Sequence, residues 1–530
     1  MRIVALGDSV TLSYGGDRSP WISHTWPAIL GRILSSNLGE EVEVVNSGVN
    51  GDTTRLALAR IDRDVFQHKP DLLLVMFGLN DALNVYRRIS LGEYENNLRL
   101  IVELASHRGV KVAFMTPNPV TERFARFEEG RRLEKLEEYV ETVRRVAGDL
   151  RIPLIDVFKL FEEEYYKSLI RDGVHPDYTC QGVIANYVAS HLSPTLGGPE
   201  VPRVRLHSLV RVWLDDMYNA FTDIVEWRGR FYVTFRVGTA HFVPDAPDGR
   251  IAILESRNLV DWSRVAILEV EGWDARDPKF HVIGDKLFLY TQCWSPEERV
   301  HKSFAFYTED GASWEGPVSC GRYVFWRPRR FRGESYVAAY RQGRRGEEWE
   351  VHLLRSRDGL EWSYVTTMYR GDMVNETEIL FMGEEAVALA RVEEPPRRTL
   401  ILRSRYPFSR WSSCRSSTVL QSPAMLKYKG RVLVSGRVFT REWWGKPFLP
   451  EYARTGILVL EGDELKLLTE LPSSGDTAYP GMILLDRGRV AVSYYSSHER
   501  FLGKDCLDNY RPYTQDYKPG VYLAVISVEW

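Results

Sequence analysis

The sequence predicts two domains of different class: a doubly wound α/β domain over residues 1–192 and an all-β propeller over residues 207–530. Three observations lead there. The first 190 or so residues alternate short, continuously apolar runs with stretches of helical spacing. Such runs belong to parallel strands buried on both faces. Residues 193–206 are rich in Pro and Gly and carry no periodicity, which reads as a linker. Beyond them helical patterns vanish, and a strand-rich unit recurs about every fifty residues, the length of a four-stranded propeller blade.

In the first domain Ile3–Leu6 is an apolar run ending in a polar turn, and Trp26–Leu34 has helical spacing. Val42–Val45 is β-branched, and Leu56, Ile61, Val65 and Phe66 share one helix face. Leu72–Phe77 is a continuous apolar strand before Gly78, Leu98–Leu104 is helical, and Val110–Met115 is a strand stopped by Pro117. Phe127–Val146 predicts a long charged helix, Leu154–Val157 a strand and Val183–Leu192 a closing helix. Strand–helix alternation of this kind builds a flavodoxin-like sheet with helices on both faces.

The recurring unit of the second domain is a polar cluster, an apolar strand, a Gly turn and a second aromatic strand. It begins at Thr222-Asp223, Arg276-Asp277-Pro278, Trp326-Arg327-Pro328, Glu376-Thr377-Glu378, Ser422-Pro423 and Ala478-Tyr479-Pro480. Outer hairpins are expected at 251–262, 304–314, 351–362, 399–411, 456–468 and 521–530. Six units predict six blades, with five as the alternative.

Composition excludes several classes. Hydrophobic residues are 44% and charged residues 27% of the chain, the mix of a soluble globular protein. A formal net charge of −3 offers nothing to nucleic acid or an anionic membrane. No apolar run is long enough to span a bilayer. The N-terminus has no signal-peptide core, so the chain reads as cytoplasmic. Cys180, Cys293, Cys320, Cys414 and Cys506 are scattered, without a Cys-x-x-Cys pair, and read as free thiols. No cofactor or metal is implied.

Four blocks carry chemistry. Gly7-Asp8-Ser9 follows the first strand, Asn46-Ser47-Gly48-Val49-Asn50-Gly51-Asp52-Thr53 the second, and Gly78-Leu79-Asn80-Asp81 the third. Asp172-Gly173-Val174-His175 precedes the last helix. In a doubly wound sheet the carboxyl ends of the strands form the ligand crevice, so the first three blocks converge there. A serine hydroxyl needs a base to take its proton. His175 can serve, and Asp172, three residues earlier, can fix its tautomer and stabilise the imidazolium. The backbone N–H groups of Ser9 and Gly48 and the Asn80 amide can face a tetrahedral oxyanion.

These blocks resemble the SGNH (GDSL) hydrolases, nearest their arylesterase and lysophospholipase-like branch, over residues 1 to about 192. The resemblance implies a serine esterase with Ser9 as nucleophile, Asp172 and His175 completing the triad, and Gly48 and Asn80 in the oxyanion hole. Val10 stands where the family usually has Leu, apolar for apolar.

In the second domain Thr308–Trp314 and Ser356–Trp362 resemble the Asp-box turns of sialidase-like propellers, and Ser256–Trp262 is a degenerate copy. Such turns are structural: the acid caps its own hairpin turn and the Trp packs between sheets. Residues at the blade starts should line the channel mouth, among them Asp223, Arg276, Asp277, Trp326, Arg327, Glu378, Asp476 and Tyr479. Two of the carboxylates could form a glycosidase pair, and the arginines and aromatics could hold a sugar. The substrate expected is therefore an ester, with an acylated, acetylated sugar as the leading candidate. The alternative is a general short-chain esterase or lysophospholipase-like enzyme whose propeller is an interaction scaffold.

Overall fold

Parallel pairing organises the N-terminal part of the chain. The computed structural model describes residues 1–13, 21–84, 86–125, 134–243, 247–343, 348–440, 452–499 and 518–530. Its elements are β1 (Arg2–Gly7), α1 (Ser9–Leu12), α2 (Trp26–Leu38), β2 (Glu43–Gly48), α3 (Thr54–Asp64), β3 (Leu72–Met76), α4 (Leu79–Leu83), α5 (Leu91–Ser106), β4 (Lys111–Met115), α6 (Glu122–Ala125), α7 (Glu134–Leu150), β5 (Leu154–Ile155), α8 (Val157–Leu160), α9 (Glu164–Ser168) and α10 (Gln181–Thr195). The strand order is β2-β1-β3-β4-β5, all parallel. Ile3–Leu6 and Leu72–Met76 are buried along their whole length, as a sheet covered on both faces requires. Local chemistry sets the helix ends. Pro27 opens α2 and Gly39, at φ 74°, closes it, a conformation glycine reaches without strain. The Thr53 hydroxyl accepts from Leu56 N at the start of α3.

Several expected boundaries move. The strand at Leu154–Val157 stops at Ile155, because Asp156 caps α8 by accepting from Lys159 N. The first part of the helix expected at 127–146, residues 127–133, lies outside the described residues; the described part runs to Leu150. Helix α10 continues through Ser193 and Pro194 to Thr195, and the strand β6 (Arg203–Trp213) begins inside the expected linker. Asn186 draws the return segment in, donating to Pro202 O and accepting from Val204 N.

The described residues divide into two compact units, Met1–Arg205 with Leu467–Pro472 and Val528–Trp530, and Leu206–Lys466 with Ser473–Ser527. Within the first unit the Arg32 guanidinium pairs with both oxygens of Glu470, at 2.6 and 2.8 Å.

The second unit is a six-bladed propeller of antiparallel sheets. Its blades begin at Tyr218–Trp227, Asp274–Ile283, Val324–Phe325, Thr377–Met382, Gln421–Tyr428 and Thr477–Leu484. Five blades take their strands consecutively from the chain. The sixth does not, which corrects the hairpin expected at 521–530. Gly520–Glu529 is a single strand, and its outer neighbour is β6, from the other end of the propeller sequence. The predicted turns form. Asp310 accepts from Ala312 N and Ser313 N at 2.8 Å, and Asp358 from Leu360 N and Glu361 N at 2.9 Å. Trp362 then packs on Tyr290 and Phe325.

Cys180, Cys293 and Cys320 are buried free thiols and Cys414 is a half-buried one; Cys506 lies outside the described residues. Among the described residues no helix is long and apolar enough to cross a membrane.

Candidate active site

Three of the four sequence blocks stand at the carboxyl ends of neighbouring strands, and the fourth folds over them. Ser9 opens α1 directly after β1, so its backbone N–H lies in the first turn, where no intrahelical acceptor exists. The Ser9 hydroxyl lies 2.9 Å from His175 Nε2, and His175 Nδ1 lies 2.7 Å from Asp172 Oδ2. The other Asp172 oxygen accepts from the His175 and Val174 backbone N–H groups at 2.7 and 2.8 Å. The turn that makes this geometry requires Gly173. Its φ is 95°, and a Cβ there would sit 2.5 Å from Phe124 N.

Other contacts lock the blocks together. Arg60 reaches Asp52 at 2.8 Å, Ser47 O at 3.0 Å and Gly7 O at 3.2 Å. Asp81 accepts from Thr54 N and from the Thr54 hydroxyl at 2.9 and 2.7 Å. Burial pushes the Asp81 carboxyl up to about 6.

The oxyanion donors need one correction. Gly48 N–H already donates to Asn46 Oδ1 at 3.0 Å, and Gly48 itself is pressed against α1, where a Cβ would lie 2.1 Å from Leu12 N. It is a packing glycine. The glycine of this block that reaches the site is Gly51. With Ser9, Asn50, Leu79, Asn80, Leu83, Asn84, Phe124, Val174 and His175 it lines a cavity of about 420 Å³. Asn80 stands in the first turn of α4, behind Gly78 at φ 136°.

Burial pulls the His175 imidazole down, but the hydrogen bond and charge of Asp172, with the charge of Asp8, outweigh it and leave His175 above its ordinary value. Burial acts against the Asp172 carboxylate too, yet its bonds from His175 and Val174 hold it well below the usual carboxylate range. A base must be neutral to take a proton, so activity is lost as pH falls through the His175 pKa. We expect kcat/KM for p-nitrophenyl acetate to rise with pH through one ionisation with its midpoint above about 6.5, the ordinary histidine value. In Asp172→Asn the residual activity should show a lower midpoint. A wild-type midpoint below 6 would contradict this reading.

The propeller residues are placed differently from expectation. Arg327 is buried and donates to Asp223 at 3.0 Å, to Glu378 at 2.6 Å and to Pro480 O at 2.9 Å. Glu378 gives its other oxygen to Arg329. Asp476 accepts from Arg437 at 2.8 Å and Tyr495 at 2.7 Å, and pairs with His241 at 2.7 Å and with Tyr218. Carboxylates held this way are not available as a glycosidase pair, which corrects that expectation for Asp223, Glu378 and Asp476. Trp326 is 2% exposed, and its ring lies under the Lys279 ammonium, so it is no open sugar platform. Asp277 accepts from Gln292 through one oxygen, while the other, buried, has no hydrogen-bond partner among the described residues. Burial raises its carboxyl. Arg276 lies over the Phe221 ring, 4.9 Å from its centroid.

A second cluster emerges that the sequence only half revealed. The Tyr479 hydroxyl donates to Glu376 at 2.6 Å and accepts from Arg391 at 3.2 Å. Arg391 also pairs with Glu376 at 2.8 Å, and the Arg437 guanidinium lies 5.4 Å from the Tyr479 ring centroid. Arg391 and Arg437 went unnoticed because they lie at or just beyond the second strand of their blades, not at the blade starts. Among the described residues no group of three His, Cys, Asp or Glu side chains is placed to hold a metal ion.

Residues 5–179 match the model of the GDSL-like lipase/acylhydrolase family. The arylesterase of Vibrio mimicus is 29% identical over 194 residues, covering 36% of this chain and 88% of the relative. Thioesterase 1/protease 1/lysophospholipase L1 of Escherichia coli strain K12 is 31% identical over 195 residues, covering 36% and 83%. The acetylxylan esterase of Geobacillus stearothermophilus is 28% identical over 155 residues, covering 27% and 69%. With that likeness, and with Ser9 at a strand end in hydrogen-bonded sequence with a histidine and an aspartate from the loop that folds over it, the chain belongs to the GDSL-like lipase/acylhydrolase family and is a serine ester hydrolase.

Proposed function

We propose that the N-terminal domain removes a small acyl group, acetyl first among them, from a sugar. The observation that carries this is the cavity beside Ser9. At about 420 Å³ it is compact, with Leu79, Leu83, Phe124 and Val174 for a short acyl chain and Asn50 for a sugar hydroxyl. The acetylxylan esterase likeness supports the same reading. Ser9 attacks the ester carbonyl as His175 takes its proton, and Asp172 steadies the imidazolium. The Ser9 N–H, the Gly51 N–H and the Asn80 amide face the oxyanion; His175 gives the proton to the leaving sugar oxygen, then takes one from a water that hydrolyses the acyl-Ser9 ester to the free acid. Asn80→Ala should lower kcat by about a hundredfold or more with KM little changed. The substrate reading is tested with p-nitrophenyl esters from acetate to palmitate, alongside acetylated xylo-oligosaccharides. Preference for acetate and release of acetate from the sugars are expected. Higher kcat/KM on long chains would favour a lysophospholipase-like enzyme instead.

A second reading concerns the propeller, and the Tyr479–Glu376 pair favours it. Burial, then the Glu376 carboxylate, push the Tyr479 phenol well up, so the hydroxyl holds its proton until Glu376 accepts it. Arg391 and Arg437 flank it with positive charge suited to a sugar carboxylate. A tyrosine nucleophile is one of the known alternatives to a carboxylate pair in glycoside hydrolysis. This site binds an acidic sugar and cleaves its glycoside, with Asp277 supplying the proton to the leaving oxygen. Tyr479→Phe should abolish release of 4-methylumbelliferone from glycosides of carboxylated sugars and leave p-nitrophenyl acetate hydrolysis unchanged. If the wild-type chain neither cleaves nor binds such glycosides, the propeller is a scaffold.

A further inference from the structure

The Asn80 amide is held from both ends. Its Nδ2 donates to Asp8 Oδ2 at 3.4 Å, and its Oδ1 accepts from Asn84 Nδ2 at 3.4 Å. Each partner is fixed in turn. The other Asp8 oxygen accepts from Val10 N at 2.9 Å, so the Asp8 side chain is tied to the start of α1. The Asn84 oxygen accepts from the Tyr86 and Arg87 backbone N–H groups at 3.0 and 3.2 Å, which turns the Asn84 NH₂ toward Asn80. Arg87 also donates to Gly51 O at 3.0 Å, joining this turn to the neighbouring block.

An amide has two faces, and turning it over exchanges donor for acceptor. Turned over, the Asn80 NH₂ would meet the Asn84 NH₂, and its oxygen would meet the Asp8 carboxylate. Both contacts would be repulsive. The existing orientation commits one Nδ2 hydrogen to Asp8 and leaves the other for the cavity beside Ser9. We propose that Asp8 and Asn84 are positioning residues that fix the Asn80 amide with its second N–H toward the oxyanion. This rests on Asn80 being an oxyanion donor.

Asp8 is also electrically placed. It is 2% exposed, and the charged or titratable groups that face it are His175, Asp81 and Asp52. Burial pushes its carboxyl up to about 7. Its negative charge is one of the influences that raise His175.

The test uses the full chain, p-nitrophenyl acetate and five variants: Asp8→Asn, Asn84→Ala, Asn80→Ala, and each of the first two combined with Asn80→Ala. Asp8→Asn keeps an oxygen for Val10 N but presents an NH₂ to Asn80, breaking the relay without removing the helix cap. Asp8→Asn and Asn84→Ala should each lower kcat by about tenfold to a hundredfold at little-changed KM, less than deletion of the donor itself. In the Asn80→Ala background each should cost less than about twofold, because the amide they position is gone. Asp8→Asn should also move the acid limb of the pH profile to lower pH, a shift that Asn84→Ala should not give. Losses that multiply in full with that of Asn80→Ala, or changes in KM alone, would overturn the proposal. If Asn80→Ala left kcat unchanged, the oxyanion reading of Asn80 would itself have failed, a result distinct from multiplying losses. Should Asp8→Asn not fold, by its melting curve, the Asn84→Ala cycle decides alone.

Discussion

Ser9→Ala should abolish hydrolysis of p-nitrophenyl acetate, with kcat falling by a factor on the order of 10⁴ to 10⁶, while the protein melts as the wild type does. The size follows from the way a nucleophile and its base act as a unit: once the hydroxyl is gone, His175 has nothing to activate. The intact fold follows from what Ser9 touches. Its hydroxyl lies against His175, whereas the cap of α1 is built by Asp8 and the sheet contacts by β1. Deleting one oxygen from a half-buried side chain leaves no cavity of consequence. Initial-rate assays at saturating substrate, with a thermal melt followed by circular dichroism, give both readings. Wild-type turnover in the variant would place the nucleophile elsewhere. Loss of activity together with loss of fold would leave the chemical role unsupported.

Arg327→Ala should produce the largest stability effect in the propeller, about 3–5 kcal/mol, the cost of breaking a buried ion pair by removing one partner. Arg327 is 4% exposed and bonds to residues of three other blades, namely Asp223, Glu378 and Pro480. Without it Asp223 keeps its Phe280 N–H bond and the nearby Lys279 charge but loses its ion-pair partner, and among the described residues Glu378 keeps only Arg329. A buried carboxylate without its cation has a raised pKa in the folded state. The penalty is therefore full at neutral pH and shrinks as pH falls and the acid protonates. Melting temperatures of wild type and variant at pH 8 and pH 5 test this. A deficit of about 10 °C at pH 8 that narrows at pH 5 is expected. Equal deficits at both pH values would show that lost packing, not stranded charge, sets the cost.

The α/β half of the fold and its triad were legible because their information is local. A continuously apolar strand followed by a polar turn places Ser9, and the three-residue spacing of Asp172 and His175 places the dyad in one turn. The choice between Gly48 and Gly51 was not legible. Both lie in one block, and only the approach of Leu12 to Gly48 decides which glycine packs and which lines the cavity. In the propeller the repeat gave the blades and the Asp-box turns, since each turn is capped by its own residues. The partners of the mouth residues could not be read. Asp223 and Arg327 meet across the ring 104 positions apart, and nothing local to either announces the other. Glu378, next to Thr377 in a mouth cluster, therefore looks like a catalytic acid in sequence, yet both its oxygens are occupied. Tyr479 was expected at the mouth as a flat surface, but its hydroxyl is the chemically significant atom.

The pairing of β6 with Gly520–Glu529 has a consequence for synthesis on the ribosome. β6 is made before the other propeller strands and Gly520–Glu529 after them, with roughly 300 residues between the two. At about 5–20 residues per second, β6 waits tens of seconds with its hydrogen-bonding edge open. An open edge of that length is a template for pairing with another nascent chain. β6 answers this hazard in its own sequence: Arg203, Arg205 and Arg211 lie along one face, in RVRLHSLVRVW. Positive charge repeated along an unpaired edge disfavours its stacking on a second copy of itself until Gly520–Glu529 arrives to cover it.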